Sequence, residues 1–578
     1  MGLYLGNTYI GNASITKLPE PTEPLTPPTS DKNYMYLQAE EDGAKIKLTG
    51  PSYFESGYEI STDGTTWSNW GKTAVGGNDI YNTITLANRG DYVFIRANAN
   101  SADWIAKGTY TLYMHFDLFD GKISAGGNIH SMVSKNLTSS ISTYTFYRMF
   151  YNCDMLTTPP SLPTKNPSTR TYMELFYGCI NLKYGPNISV STAGSYSFDS
   201  MLKNCTSITK PPTITVTTLG EGCFQNLFSG CINLESCPPL NWTTLKSYCY
   251  AYMFQNCEKI TTAPTLPATT MQSYCYAYMF DGCINLEACP ALSSTSLAAY
   301  CYQYMFKNCK KITSTPTLAA TTLSSYCYNG MFYGCDSLVT VSDLPATVGQ
   351  TYCYASMFYG CVSLVTPPTI SLTSFASSTD YCCSYMFCNC KKLATAPELK
   401  PTTLVTHCYQ YMFYGCESLV NPPVMAATTT ASYSCQYMFQ NCTSLVSVPE
   451  WHITNANTYC FRYMFYGCTS LTTAMEELPS ATLYNYCYMN MFYNCEKLTT
   501  APWIKGTSLS GKTSALYGMF YNCSKLNYIK VSTTTWSTTN ASNWVYGVAS
   551  TGTFVKPSSA SITSGTSGIP SDWTVEPL

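Results

Sequence analysis

Tyr248-Cys249-Tyr250-Ala251-Tyr252-Met253-Phe254-Gln255-Asn256-Cys257-Glu258-Lys259-Ile260-Thr261-Thr262-Ala263-Pro264 returns almost unchanged as Tyr274-Cys275-Tyr276-Ala277-Tyr278-Met279-Phe280-Asp281-Gly282-Cys283. The second cysteine of this pattern, always preceded by Asn or Gly, stands at Cys153, Cys179, Cys205, Cys231, Cys257, Cys283, Cys309, Cys335 and Cys361, evenly spaced throughout. It goes on, with slightly longer steps in places, at Cys390, Cys416, Cys442, Cys468, Cys495 and Cys523. A fixed period of this length marks a repeat array, in which each unit is one small supersecondary element.

Fixed positions define the unit. Three residues after the marker cysteine is Leu or Ile in all fifteen units. Three before it is Phe in fourteen, Leu202 being the exception, and four before it is Met or Leu in all fifteen. A further cysteine stands eight before it in ten units, and Pro stands seven after it in twelve. The spacing of four between Cys249 and Met253 predicts one face of a short helix. Asn or Gly then closes that helix, because both tolerate the left-handed conformation of a helix C-terminus. Thr261-Thr262-Ala263 predicts a short strand ended by Pro264, which cannot donate to a ladder. One such coil is too small to bury its own apolar face. Equivalent residues must therefore stack, Leu on Leu, Phe on Phe and Cys on Cys, at about 5 Å per step of a parallel sheet. The expected fold is a repeat solenoid of short parallel strands plus short helices, fifteen units of about 26 residues each over 142–530.

The unit Cys-Tyr-x-Tyr-Met-Phe-x-Asn-Cys-x-x-Leu-Thr-Thr-Ala-Pro-x-Leu-Pro-Ala-Thr-Thr-Leu resembles the BspA-like leucine-rich repeat, which occurs in surface proteins of gut-type bacteria and in their phages and prophages. The resemblance runs from about Ser142 to Lys530. It implies a leucine-rich-repeat-type solenoid and a role in adhesion or recognition, with no catalytic residues. Gly552-Thr553-Phe554-Val555 through Asp572-Trp573 looks like the closing segment of such arrays, so 531–578 is expected to be a C-terminal cap.

Outside the array the chain divides by composition. Residues 1–17 hold a short apolar segment with Leu3, Tyr4, Leu5 and Ile10, and 18–33 form a linker with Pro19, Pro21, Pro24, Pro27 and Pro28. Chain of that kind is extended and semi-rigid. The arrangement resembles the anchor peptide of a phage structural protein. From 34 to 115, alternating runs at Lys45–Thr49, Tyr58–Ser61 and Tyr92–Arg96 read as strands, with a hairpin signal at Asp63-Gly64. An N-terminal antiparallel β-sandwich domain is expected there. Residues 116–141 are expected to cap the open end of the array.

Composition narrows the function. Charged residues make up 11% of the chain and the formal net charge is −2. With no Lys/Arg cluster to neutralise phosphates, a nucleic-acid partner is not expected. No apolar run reaches the roughly 18 residues of a membrane span. The first residues lack the basic and then apolar order of a secretory signal, and Gly6 stands where myristoylation needs Ser or Thr.

The residues that carry chemistry are few. The thirty cysteines read as buried thiols: the two within a unit are about 12 Å apart along a helix, and stacked ones run parallel slightly beyond bridging distance. Cys382, Cys383, Cys388 and Cys390 crowd together, but the repeat or its neighbours explain three of them, so no metal centre is read. His115, His130, His407 and His452 sit in unrelated contexts, and no catalytic constellation or cofactor motif stands out. Arg89-Gly90-Asp91 reads as a turn into the strand at Tyr92. Two before the marker cysteine the residue varies freely: Gln255, Asp281, Lys307, Tyr333, Tyr359 and Tyr414. Variation among stacked copies suggests exposure, so these are the candidate binding residues. The expected function is non-catalytic, that of a phage virion component, fibre or decoration. It would join other virion or appendage proteins through its N-terminus and turn the repeats toward host-surface glycans or proteins. A bacterial cell-surface adhesin and a purely structural decoration protein are the alternatives, and self-association into a homo-oligomer is compatible with all three.

Overall fold

The computed structural model describes residues 4–5, 8–9, 23–29, 32–52, 57–99, 113–138, 141–450 and 452–578. Of the expected N-terminal anchor, Leu3 and Ile10 lie outside the described residues. Tyr4–Leu5 (β1) pairs antiparallel with Thr8–Tyr9 (β2).

The coil containing residues 246–257 shows how the backbone is spent. The N–H groups of Cys249, Ala251, Met253, Gln255 and Cys257 donate to carbonyls three residues back, at 3.0–3.4 Å. Those of Tyr248, Tyr250, Tyr252, Phe254 and Asn256 donate instead to the next coil, to Ser273, Cys275, Ala277, Met279 and Asp281, at 2.7–3.1 Å. Every fourth residue has positive φ: Tyr248 at 59°, Tyr252 at 59° and Asn256 at 57°.

This is a ribbon of linked tight turns, and it corrects the expected short helix. A helix sends its N–H groups along its own axis and keeps every φ negative. The spacing could not separate the two, because linked turns of period four also put Cys249 and Met253 on one face, where both are fully buried. Among the described residues there is no α-helix, and the single helical element is a 3-10 turn at Ile129–Met132. The left-handed conformation expected just before each marker cysteine is present, at Asn256 and again at Gly282 (φ 77°).

On the opposite side the coils pair as parallel strands. Ile188–Thr192 (β14) runs beside Ile214–Thr218 (β15), and Val348–Gly349 (β16) beside Ser374–Phe375 (β17). Most other contacts are single bridges such as Thr262↔Ala288, since the recurrent proline removes a donor from the ladder.

Inside, the files predicted from the repeat are present. Phe228 through Phe520 form an unbroken row of rings, with centroids 5.4–5.8 Å apart between neighbours, and every member is buried. Below them run Ile260, Leu286, Ile312 and Leu338, all fully buried. From Cys179 onward each marker thiol donates to the carbonyl of the residue three before the preceding marker. Cys257 Sγ thus reaches Phe228 O, and Cys283 Sγ reaches Phe254 O, at 3.0–3.1 Å.

Both ends of the file are closed by other elements. Met35–Ala39 (β3), Tyr58–Ser61 (β5), Ser68–Asn69 (β6), Tyr92–Ala97 (β10) and Ile123–Gly126 (β12) form one sheet with Leu156–Thr158 (β13) of the first coil. Ala44–Pro51 (β4), Lys72–Val75 (β7), Asn78–Tyr81 (β8), Ile84–Leu86 (β9) and His115–Phe119 (β11) form a second, antiparallel sheet. Of residues 116–141, expected as a cap, 116–119 and 123–126 are thus strands of these sheets. They do meet the array: β12 pairs parallel with β13, Phe116 stacks on Phe150 at 4.9 Å, and Cys153 Sγ donates to Phe116 O. At the far end Trp544, fully buried, follows Phe520 in the file at 5.8 Å. Tyr528–Lys530 (β18), Thr553–Lys556 (β19) and Thr574–Pro577 (β20) extend the parallel sheet there.

Candidate binding surface

The turn ribbon alternates what it buries and what it shows. Tyr250 and Phe254 point inward, while the positive-φ residues Tyr248 and Tyr252 remain half-exposed. Stacking turns each of these outer positions into a column. Tyr248, Tyr274, Tyr300, Tyr326, Tyr352, Tyr381, His407, Tyr433, Tyr459 and Tyr486 make ten successive rings, 4.0–4.7 Å apart and within 15° of parallel. His407 takes the place of a tyrosine, its Nδ1 3.1 Å from Asp380 Oδ1. Earlier in the same column the Arg170 guanidinium lies between the rings of Tyr144 and Tyr196, 5.7 and 5.1 Å from their centroids.

The Tyr252 column is interrupted. Tyr252, Tyr278 and Tyr304 stack at 4.7 and 5.0 Å, and Tyr385, Tyr411, Tyr437 and Tyr463 at 4.4–4.8 Å. Between the two runs stand Gly330 and Ser356, both also at positive φ. A bulky residue in the left-handed region costs about 1–2 kcal/mol, and a stacked aromatic pair contributes about 0.5–1.5 kcal/mol. With a neighbour on each side, stacking offsets the strain. Tyrosine is therefore tolerated where an isolated one would not be.

The six binding candidates share one further column beside this one, but they are not freely exposed. Asp281 is buried, and burial raises its carboxyl pKa. Gln255 Nε2 donates to Asp281 Oδ2 at 3.0 Å, and Lys307 Nζ stands 3.9 Å from the same oxygen. Tyr333 and Tyr359 stack on each other at 4.4 Å, and Tyr414 leans on Tyr411 with centroids 5.8 Å apart. Variation at this position thus reflects side chains chosen in pairs up the column. The most ordered exposed surface was missed because it is the most repetitive: in a stacked array, sameness at a position fits an outward ladder as well as a core.

This surface offers contact groups and little reactivity. Burial pushes the Cys231 and Cys335 thiols up to about 12, which leaves almost no thiolate near neutrality. Cys353 and Cys382 approach to 3.4 Å between sulfurs, both fully buried. Among the described residues no group of three or more His, Cys, Asp and Glu side chains is placed to hold a metal ion. No helix there is long and apolar enough to cross a membrane.

A family model described as a BspA type leucine-rich repeat region matches in six copies, at residues 139–287, 225–338, 301–462, 355–499 and 435–560. No curated protein matches the chain. Among solved structures it is similar to TLR13 in its complex with ssRNA13, at 14% identity over 68% of this chain and 50% of that one, with a TM-score of 0.22. It is also similar to the leucine-rich-repeat ectodomain of the plant membrane receptor kinase GASSHO1/SCHENGEN3 from Arabidopsis thaliana, in complex with CASPARIAN STRIP INTEGRITY FACTOR 2. There the identity is 10% over 74% of this chain and 57% of that one, with a TM-score of 0.20. The chain spans about half the length of the solved chains it matches.

Proposed function

Because the chain belongs to the BspA-type leucine-rich repeat family, whose members are typically non-catalytic, we propose that it is a recognition or adhesion protein whose working face is the tyrosine-rich turn ribbon. The supporting observation is the half-exposed column of ten stacked rings from Tyr248 to Tyr486. Such a column presents ring edges and hydroxyls in a row with a fixed pitch. Tyrosine supplies large contact area at low entropy cost together with a polar handle.

The finer reading is a phage virion component, fibre or decoration. In that reading the two N-terminal sheets are a β-sandwich domain that carries the array, residues 1–17 attach to other virion or appendage proteins, and the repeats face the host surface. Fluorescently labelled full-length protein should bind intact gut-type bacterial cells saturably. Tyr433→Ser/Tyr459→Ser, within that column, should weaken that binding at least tenfold without unfolding the array. Absence of saturable binding across a broad panel of such cells, or unchanged binding by the double variant, rules out the ribbon as the working face.

A further inference from the structure

In an intact tyrosine column each ring face is covered by the next ring, so a ligand meets only edges and hydroxyls. The break in the Tyr252 column interrupts this cover. Tyr385 has Tyr411 against one face at 4.6 Å, but one coil back stands Ser356, which has no ring. On the other side of the break Tyr304 leans across Gly330. A Cβ built on Gly330 would lie 2.1 Å from Tyr304 Cε1, so only glycine lets the ring settle there. The result is a notch of about 500 Å³, within the usual size of small-molecule sites.

Its floor is made of amides and small residues. Gln303 Nε2 donates to Asn329 Oδ1 at 3.2 Å, and Asn329 Nδ2 to Ala355 O at 3.0 Å. Tyr326, Tyr352 and Tyr381 of the unbroken column form the side wall, and no residue lining the notch is charged.

We propose that this notch binds a neutral carbohydrate. The face of Tyr385 that no ring covers suits the C–H face of a sugar ring, and the surrounding amides and hydroxyls suit its hydroxyl edges. A charged ligand finds no counter-charge among the lining residues, and a purely apolar one would cover the hydroxyls of the lining tyrosines without partnering them, at a cost. The inference deepens the reading of the ribbon as the working face and rests on it.

Restoring the missing ring tests it. Ser356→Tyr places tyrosine where the backbone already has the left-handed φ of 55° and where Tyr385 stands in the next coil, with the small Gly330 in the coil on the other side. It should fold and fill the notch. Full-length protein is applied to a printed array of neutral, sialylated, sulfated and uronic-acid glycans, and the best-retained glycan is titrated by calorimetry. Wild type and the control Glu576→Gln should retain neutral glycans. Ser356→Tyr and, independently, Tyr385→Ala should lose at least tenfold in affinity, with the melting temperature of Ser356→Tyr not lowered. Retention of no glycan, of anionic glycans only, or of neutral glycans equally by Ser356→Tyr overturns the proposal. If Ser356→Tyr has wild-type affinity for cells, the notch is wrong and the ribbon reading stands. If wild type itself fails to bind cells, the ribbon reading fails first.

Discussion

Replacing Phe306 by Ala removes one ring from the middle of the buried file. Phe306 is fully buried, 5.7 Å from Phe280 and 5.6 Å from Phe332. An aromatic side chain buries about 150–250 Å², which at about 25 cal/mol/Å² gives about 4–6 kcal/mol, part of which the remaining Cβ keeps. Measured Phe→Ala losses in cores run at about 3–5 kcal/mol, and we expect that range here. The loss falls on two coil–coil interfaces and no others, because each coil touches only its neighbours. Chemical denaturation should therefore show more than a lower midpoint. The array should split at the weakened interfaces and unfold in separable phases, with amide exchange rising around residues 300–340. Phe306→Leu provides the scale: Leu202 already stands buried at this position in another coil, so that change should cost only about 1–1.5 kcal/mol. A loss below about 1 kcal/mol for Phe306→Ala, or equal losses for Ala and Leu, would refute the claim that stacked side-chain files hold the coils together.

Alkylation gives a second check. The thirty thiols should react fully in denaturant without reductant. Native protein should label slowly even at pH 9, because burial holds thiols such as Cys231 and Cys335 at about 12; substantial unreactive thiol in denaturant would mean disulfides. Asp199 is buried, and its carboxyl pKa is pushed up to about 6, first by desolvation. Its native form therefore holds a proton that the unfolded chain releases near pH 4, so stability should fall as pH rises from about 4 to 6 and stay lower above it. Asp199→Asn should flatten that decline and gain roughly 1–3 kcal/mol at pH 7; a pH profile parallel to wild type would contradict the burial argument. In the exposed column, Tyr411→Ala loses its stacking and keeps the strained φ of 56°, whereas Tyr411→Gly loses stacking and relieves the strain. Gly should thus be the more stable variant by about 1 kcal/mol, the reverse of the ordinary order. Thermal melts that rank Ala above Gly would exclude the offset between strain and stacking.

The repeat, its period and its buried files were legible in the residues alone. Positions packed on their own copies must be nearly identical from coil to coil, and Phe254, Met253, Ile260 and Cys257 have counterparts in every unit. The alternation of Asn and Gly from Asn152 to Gly334 is equally visible in the chain, but its reason is spatial. A Cβ on Gly282 would lie 2.1 Å from Asn256 Oδ1, so an asparagine over one coil calls for a glycine in the next. Where two asparagines do follow each other they pair, Asn522 Nδ2 donating to Asn494 Oδ1 at 3.1 Å. Turn ribbon or helix was not decidable locally, because a spacing of four fits both over so short a stretch. The choice rests on where the N–H groups of Tyr248, Tyr250, Tyr252, Phe254 and Asn256 go, and their acceptors, from Ser273 to Asp281, belong to the neighbouring coil. Tyrosine at positive φ has the same origin: strain set by one coil is offset only by rings that the adjacent coils bring to 4.6–4.7 Å. The chain thus specifies by itself what must be buried, while the stacking of coils decides how the backbone turns and which rings remain facing outward.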